Sequence, residues 1–400
     1  MYTPDKSVRS EWGRPRKTGR VPRGAAAVLV ALWASMTALP LQAQQLSAAS
    51  AAPAVESRPL DTGGEAKPRS GWAALPLIAY SPETELNLGG FGAHFFRLGD
   101  APASSRPSTL AAVAIYTTRD QIILELIPEL YWDSEKWHIW SKLDYRYYPN
   151  SFWGVGNHMP DSDKENYTEN TPRWQCWLRR MIVWSLYLEA RVDAQYMAIA
   201  DTEPEGLLDT KSVPGASGGR ALGLGGALGW DSRDDAIVPH EGAFYELSLM
   251  GWNRAFLSEY DFSEVRLNLR QFIPVTRTHV LALQLYGQFL SGEAPFYKMA
   301  MVGGQRILRG YYEGRYLDND LLAAQAEYRL PIWWRISAVA FAAVGDVSDN
   351  LSNFSFDRLK WGVGAGGRLM LNPNERLNLR ADFALAPDSW GLYVGIAEAF

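Results

Sequence analysis

Along most of its length the chain alternates apolar and polar residues one by one. In RLNLRADFAL (376–385), Leu377, Leu379, Ala381, Phe383 and Leu385 share one side, and Asn378, Arg380, Asp382 and Ala384 the other. KWHIWSKLDYRYY (136–148) sets Trp137, Ile139, Leu143, Tyr145 and Tyr147 against His138, Lys142, Asp144 and Arg146. EYDFSEVRLNLRQFI (259–273) sets Val265, Leu267 and Leu269 against Arg266, Asn268 and Arg270. LLAAQAEYRLPI (321–332) sets Leu322, Ala324, Ala326, Tyr328 and Leu330 against Gln325, Glu327 and Arg329. A period of two predicts strands, because successive side chains leave opposite faces of a sheet.

The apolar face points either into a second sheet, as in a soluble sandwich, or out into lipid, as in a membrane barrel. Three features select the barrel. The segments run about ten to thirteen residues, longer than ordinary soluble strands and suited to a tilted membrane crossing. Aromatics gather near segment ends, at Tyr131-Trp132, Tyr147-Tyr148, Trp333-Trp334 and Trp390, as interfacial girdles do. The closing WGLYVGIAEAF puts Leu392, Val394, Ile396 and Phe400 in one phase, with Phe400 as an aromatic barrel-end signal and Glu398 sharing that face near the interface.

Roughly fifteen strands can be counted from residue 84, with LPLIAYS (75–81) as a further one, and bacterial single-chain barrels favour an even number. The expectation is an all-β, antiparallel, transmembrane barrel of 16 strands spanning 75–400. Tight connections at Thr118-Arg119-Asp120, Asp133-Ser134-Glu135 and Asn372-Pro373-Asn374 alternate with long ones at 149–172, 200–218, 290–320 and 346–357. That asymmetry predicts short turns on the periplasmic side and long loops outside.

The N-terminus adds an address. Lys6, Arg9, Arg14, Arg16, Lys17, Arg20 and Arg23 precede an apolar run from Ala25 to Leu41, and small residues follow it. This reads as a signal peptide over 1–43, cut before Gln44. Residues 44–74, rich in Ala, Pro and Ser, read as a disordered linker. The chain holds 39 basic and 44 acidic residues; without the seven basic and two acidic ones of the first 23, 32 and 42 remain, a net charge of −10. That balance argues against nucleic acid as a partner. Cys176 is the sole cysteine, so no internal disulfide can form. With 16 Trp, 19 Tyr and 15 Phe but no later apolar run of about 18 residues, an exported chain fits the bacterial outer membrane.

One segment breaks the alternation. VGGQRILRGYYEGRYLDND (302–320), continuing into AEYRLPI, resembles the surface-antigen barrel of the BamA/TamA family, whose hallmark is an Arg-Gly-aromatic motif in the sixth outer loop. The hairpins WGVGAGGRLMLNPNERLNLRADFAL and GLYVGIAEAF, and the entry LPLIAYSPETELNLGG (75–90), are similar to that family's barrel as well. The resemblance implies that Leu308, Arg309, Gly310 and Tyr311 fold back into the lumen, where Arg309 meets a carboxylate on the inner wall. Glu327, in lumen phase on the following strand, can accept the planar guanidinium fork. The family's second carboxylate falls here on Ala343, within Phe341-Ala342-Ala343-Val344-Gly345, so Asp346 is the substitute candidate. The family's periplasmic repeat domains, of about 75 residues each, do not fit into 44–75.

Other chemistry is sparse. GASGG (215–219) fits a nucleophile elbow around Ser217 only in spelling, since a Gly/Pro-rich loop precedes it and an alternating strand follows. The five histidines, His94, His138, His158, His240 and His279, lack ligand spacing, and DSDKEN (161–166) reads as a solvated loop. No catalytic set, cofactor site or metal site is expected, and an outer-membrane enzyme is the weakest reading. Insertion or export of proteins or lipids at the outer membrane leads, and a passive channel or structural surface antigen with a loop-plugged lumen is the alternative. Expected partners are outer-membrane lipid and lipopolysaccharide, with unfolded outer-membrane proteins or a separate periplasmic protein.

Overall fold

Residues 108–132 show how the sequence builds the wall. STLAAVAIYT and IILELIPELYW carry many β-branched and apolar residues, which suit a pleated surface. The turn between them closes when the Thr117 N–H donates to the Gln121 carbonyl over 3.0 Å, with Asp120 at φ 59°. Leu110, Tyr116, Leu124 and Leu126 then stand exposed, while Val113, Ile115, Glu125 and Glu129 are buried.

The computed structural model describes residues 70–99, 105–372, 377–396 and 398–400. The strands are β1 (Ser70–Ser81), β2 (Glu85–Phe96), β3 (Ser108–Thr117), β4 (Ile122–Trp132), β5 (Trp137–Phe152) and β6 (Glu165–Val183). They continue with β7 (Leu186–Thr202), β8 (Gly219–Asp231), β9 (Gly242–Trp252), β10 (Phe262–Pro274), β11 (Val280–Gly292) and β12 (Ala300–Val302). Then come β13 (Tyr316–Asp318), β14 (Asp320–Trp333), β15 (Ile336–Ser348), β16 (Lys360–Asn372), β17 (Leu377–Ala386) and β18 (Ser389–Ile396). β12 and β13 form a small hairpin of their own; the other sixteen close into one antiparallel barrel in sequence order, the expected number. The strand over 70–81 takes in Ser70–Ala74, which the sequence assigns to the linker. The signal peptide and linker residues 1–69 lie outside the described residues, as do Pro373 and Asn374 of one expected turn.

Outward, the exposed side chains are apolar: Leu143, Tyr145, Leu247, Leu249, Leu285, Phe383 and Leu385 among them. Inward, carboxylates pair with buried guanidiniums and ammonium groups, as between Arg179 and Glu189 at 2.8 Å and between Lys142 and Asp144 at 3.1 Å. This inverted arrangement is stable in lipid, where a charge on the outer face at mid-depth costs ~2–4 kcal/mol. Trp72, Trp184, Trp333 and Trp334 are exposed at the rim where β1 begins.

Antiparallel order fixes which connections share a rim. Loops 153–164, 203–218, 253–261, 293–319 and 349–359 lie together at the rim where β1 ends. The short turns 82–84, 118–121 and 387–388 lie there too, so Thr118–Asp120 is not on the short-turn side as expected. The long connection anticipated over 149–172 is cut to 153–164, because β5 and β6 pair from Phe152 with Glu165 onward. Ser217 lies in the loop 203–218, immediately before β8.

Candidate functional site

The loop 293–319 folds into the barrel mouth rather than away from it. Its hairpin β12–β13 and Leu308 bury a cluster with Phe152, Phe296, Val302, Leu317, Leu321 and Val347. Leu308 is fully buried at φ 61°, a conformation a branched side chain adopts only when packing compensates. Gly310, at φ 114°, is the position where only glycine turns the chain without strain. The backbone there passes so close to β16 that a Cβ at Gly362 would sit 2.4 Å from the Arg309 carbonyl oxygen. Glycine on both sides therefore lets the motif lie flat against the inner wall.

Arg309 is 1% exposed and donates through both ends of its fork, Nη2 to Glu327 Oε2 at 2.8 Å and Nη1 to Asp382 Oδ2 at 2.5 Å. Its guanidinium lies 3.4 Å from the centre of the Phe341 ring. Planar, delocalised charge suits both contacts; a lysine could not hold two carboxylates and a ring face at once. The two carboxylates are shared further. Arg329 Nε donates to Glu327 Oε1 at 2.9 Å, and Arg368 Nη1 to Asp382 Oδ1 at 2.5 Å. Arg368 Nε also donates to Glu398 Oε2 at 2.7 Å, and Asn378 Nδ2 to Glu398 Oε1 at 2.9 Å. Four guanidiniums, counting Arg380 at 3.7 Å from Asp382, thus interleave with three carboxylates.

Of the residues singled out in the sequence, Arg309 and Glu327 meet, and Leu308 and Gly310 frame them. Tyr311 is buried with its ring 5.9 Å from that of Tyr316, edge to face. Asp346 does not reach Arg309. Its carboxylate accepts from Asn157 Nδ2 at 2.9 Å, because it lies five residues nearer the mouth on β15 than Phe341, the residue opposite Glu327. The second carboxylate comes instead from Asp382 on β17. The alternation of 376–385 puts Asp382 on the lumen side; its closeness to Arg309 follows only from barrel closure. Phe400 departs most from expectation. β18 stops at Ile396, and Phe400 lies inward, against Phe272, Val280 and Ala282 on the lumen wall. Glu398 meets Arg368, and the Phe400 carbonyl accepts from Arg329 Nη2 at 3.0 Å. An acidic side chain on the lipid face would forgo these partners.

Sequence reasoning also missed the loop's grip on the seam where the first and last strands meet. The Gly310 N–H donates to the Tyr393 hydroxyl at 3.0 Å, and the Ser389 hydroxyl donates to the Gly310 carbonyl at 2.7 Å, both on β18. Three residues on, the Glu313 N–H donates to Glu83 Oε1 at 2.9 Å, on the β1–β2 turn. The loop therefore holds both sides of the seam. Among the described residues, ladder pairing there is sparse: β1 and β18 register only at Tyr80 with Val394, whereas β1 and β2 are in register over all of Ser70–Ser81. The Glu313 side chain opens onto the lumen, yet its carboxyl is pushed up to about 7, chiefly by enclosure within the protein and secondly by Glu83.

Comparison with known proteins agrees with this architecture. The BamA barrel of Haemophilus ducreyi, in a form lacking POTRA domains 1–3, superposes with a TM-score of 0.58 at 12% identity, over 83% of this chain and 71% of that one. CdiB from Acinetobacter baumannii gives 0.55 at 13% identity, over 83% and 60%, and CdiB from Escherichia coli gives 0.54 at 12%, over 82% and 62%. The chain thus spans about three fifths of each CdiB. A search among curated proteins finds no match. The Omp85 superfamily domain matches residues 128–400, well over half of the sequence and including the loop motif, β14 and β17. With the closed sixteen-stranded barrel and its inserted loop, that match settles the family: the chain belongs to the Omp85 superfamily of outer-membrane β-barrels.

Proposed function

We propose that this barrel assists the insertion or export of proteins at the outer membrane, with opening of the β1–β18 seam as its working step. The carrying observation is the seam itself, which has a single registered pair among the described residues and is bridged by the loop that bears Arg309. Opening it exposes unpaired backbone donors and acceptors, which an incoming strand can complete by edge pairing. Membership of a superfamily whose barrels work with substrate and partner proteins supports the reading. Unfolded outer-membrane proteins are the substrates it favours, with a separate periplasmic protein to deliver them. Lipid and lipopolysaccharide meet the apolar outer face.

The test is reconstitution in liposomes, scoring how fast an unfolded outer-membrane barrel inserts with and without this chain. Acceleration is expected. It should be lost when Tyr80→Cys and Val394→Cys, in a Cys176→Ser background, are oxidised to a disulfide, since residues directly opposite in an antiparallel pair lie within bridging distance. Reduction should restore it. Equal rates with and without the protein would sink the reading. Steady conductance in a planar bilayer would then favour a channel, for which the cavity of about 420 Å³ beside Lys142, Asp144 and Arg146 is the supporting feature.

A further inference from the structure

Two prolines of the wall show what such a residue does to a strand ladder here. Pro128 of β4 stands in register with Leu110 on β3, yet the ladder to β5 skips Ile127 and Pro128. Pro172 of β6 stands opposite Tyr145 on β5, while the ladder to β7 skips Thr171 and Pro172. Each proline keeps one ladder and loses the other, as a residue without an N–H must.

Pro76 of β1 keeps the ladder to β2, where it stands opposite Gly90. The direction of its peptide groups follows from the next strand. The Leu86 carbonyl accepts from the Thr118 N–H at 2.9 Å, and the Leu86 N–H donates to Thr118 Oγ1 at 3.2 Å, so Leu86 faces β3. Peptide groups alternate sides along a strand, so Gly90, four residues on, faces β3 as well. The residues opposite them, Tyr80 and Pro76, therefore turn their peptide groups away from β2 and toward β18. Ser70, Trp72, Ala74 and Ile78 share that direction. Among the described residues the seam registers at Tyr80 with Val394, and β1 ends at Ser81, so the pairing can lengthen only toward Ser70. Continued in register, it brings Ile78 opposite Ile396 and Pro76 opposite Glu398. At that point the ladder lacks a donor, and β18 has already stopped at Ile396. Glu398 bonds instead to Arg368 and Asn378.

We propose that Pro76 is a register stop in the seam, which keeps β18 from zipping along β1 and holds the edge beyond it open. The N–H and C=O groups of Ser70, Trp72 and Ala74 face that edge together. An extended segment added there finds its donors over Ser70 to Leu75, about 20 Å of strand at ~3.4 Å per residue. This use of the edge rests on the strand-insertion reading above; the stop itself does not.

The experiment places Ile78→Cys and Ile396→Cys, with Cys176→Ser, in the full chain in liposomes and follows disulfide formation under a mild oxidant. Residues directly opposite in an antiparallel pair lie within bridging distance, so the rate reports a seam zipped past Tyr80. Pro76→Ala should raise it roughly fivefold, the effect of one regained backbone hydrogen bond. Pro128→Ala, on an interior ladder, should leave it unchanged. Glu398→Ala releases the last residues from Arg368 and Asn378, and added to Pro76→Ala it should raise the rate further. An unchanged rate in Pro76→Ala and in that double variant would overturn the proposal. So would a rise with Glu398→Ala alone to which Pro76→Ala adds nothing. The same variants then enter the insertion assay, where faster cross-linking should accompany slower insertion. Faster cross-linking with insertion unaltered would sink the insertion reading and leave the stop standing.

Discussion

Arg309 shows how one side chain comes to hold a loop of this size. Buried between Glu327 and Asp382 and over Phe341, it gives each of two already paired carboxylates a further guanidinium and closes the network on the loop. Arg309→Ala removes two buried charge-assisted hydrogen bonds, each worth roughly 1.5–3 kcal/mol, so it is expected to cost ~3–5 kcal/mol. The loss should appear as a lower temperature at which the barrel leaves its compact, heat-resistant form on a gel. A double-mutant cycle separates the two acidic candidates. Arg309→Ala with Asp382→Ala should be non-additive by ~0.5–3 kcal/mol, whereas Arg309→Ala with Asp346→Ala should add to within ~0.5 kcal/mol. Additivity in the first pair would deny the contact. A pH effect belongs to the same scale. The Glu313 carboxyl is raised in the docked loop, so docking favours its protonated form; the contribution is complete below about 4.5 and lost as pH rises through about 7. Glu83, also raised by burial, adds in the same direction, while Arg146 and Arg306 oppose it. Amide protection factors over 303–315, corrected for the base-catalysed intrinsic rate, should therefore fall between pH 6 and 8, and Glu313→Gln should flatten the profile.

Among the elements, β18 and the residues after it carry the clearest consequence. Read as an alternating strand, the segment puts Phe400 on the lipid side; folded, it ends at Ile396 and sends Phe400 across the lumen floor. Truncating a buried phenyl ring costs ~3–5 kcal/mol, so Phe400→Ala should destabilise the barrel strongly. Phe383→Ala, at an outward ring 47% exposed on β17, should cost less when both are measured in detergent by urea denaturation. Equal effects would place Phe400 outside. The floor has a second contributor in the β8–β9 connection, where the Ile237 side chain packs on an apolar patch of Leu77, Ile123, Ile127 and Trp140. The inner wall of β1 to β4 is consequently apolar over part of its area, unlike the charged wall of β14 to β17.

For the whole molecule, the seam and the loop form one mechanical unit. Twelve residues of β1 pair with β2, one pairs with β18, and the loop supplies the remaining hold through Tyr393, Ser389 and Glu83. Tyr393→Phe removes only the hydroxyl that accepts from Gly310, so it is expected to speed alkylation of the reduced cysteines in the Tyr80→Cys, Val394→Cys, Cys176→Ser barrel, as the seam opens more often, while leaving the folded barrel intact. Unchanged alkylation rates would detach the loop from the seam. Much of this was legible beforehand. A period of two needs nothing but the pleat, so it declares strands, their lipid and lumen faces and, through turn chemistry, their number; the glycine pair and Arg-Gly-Tyr declare a loop that must bend and a charge that must be paired. Partner identity was not legible, because Asp382 and Arg309 are separated by 73 residues and meet only when the sheet closes. The same holds for Asp346, five residues too near the mouth, and for Phe400, whose direction depends on what lies across the lumen. Local periodicity is a property of consecutive residues and survives without the fold, whereas charge pairing, the weak seam and the inward tail are distances across a closed barrel, which exist only once every strand is in place.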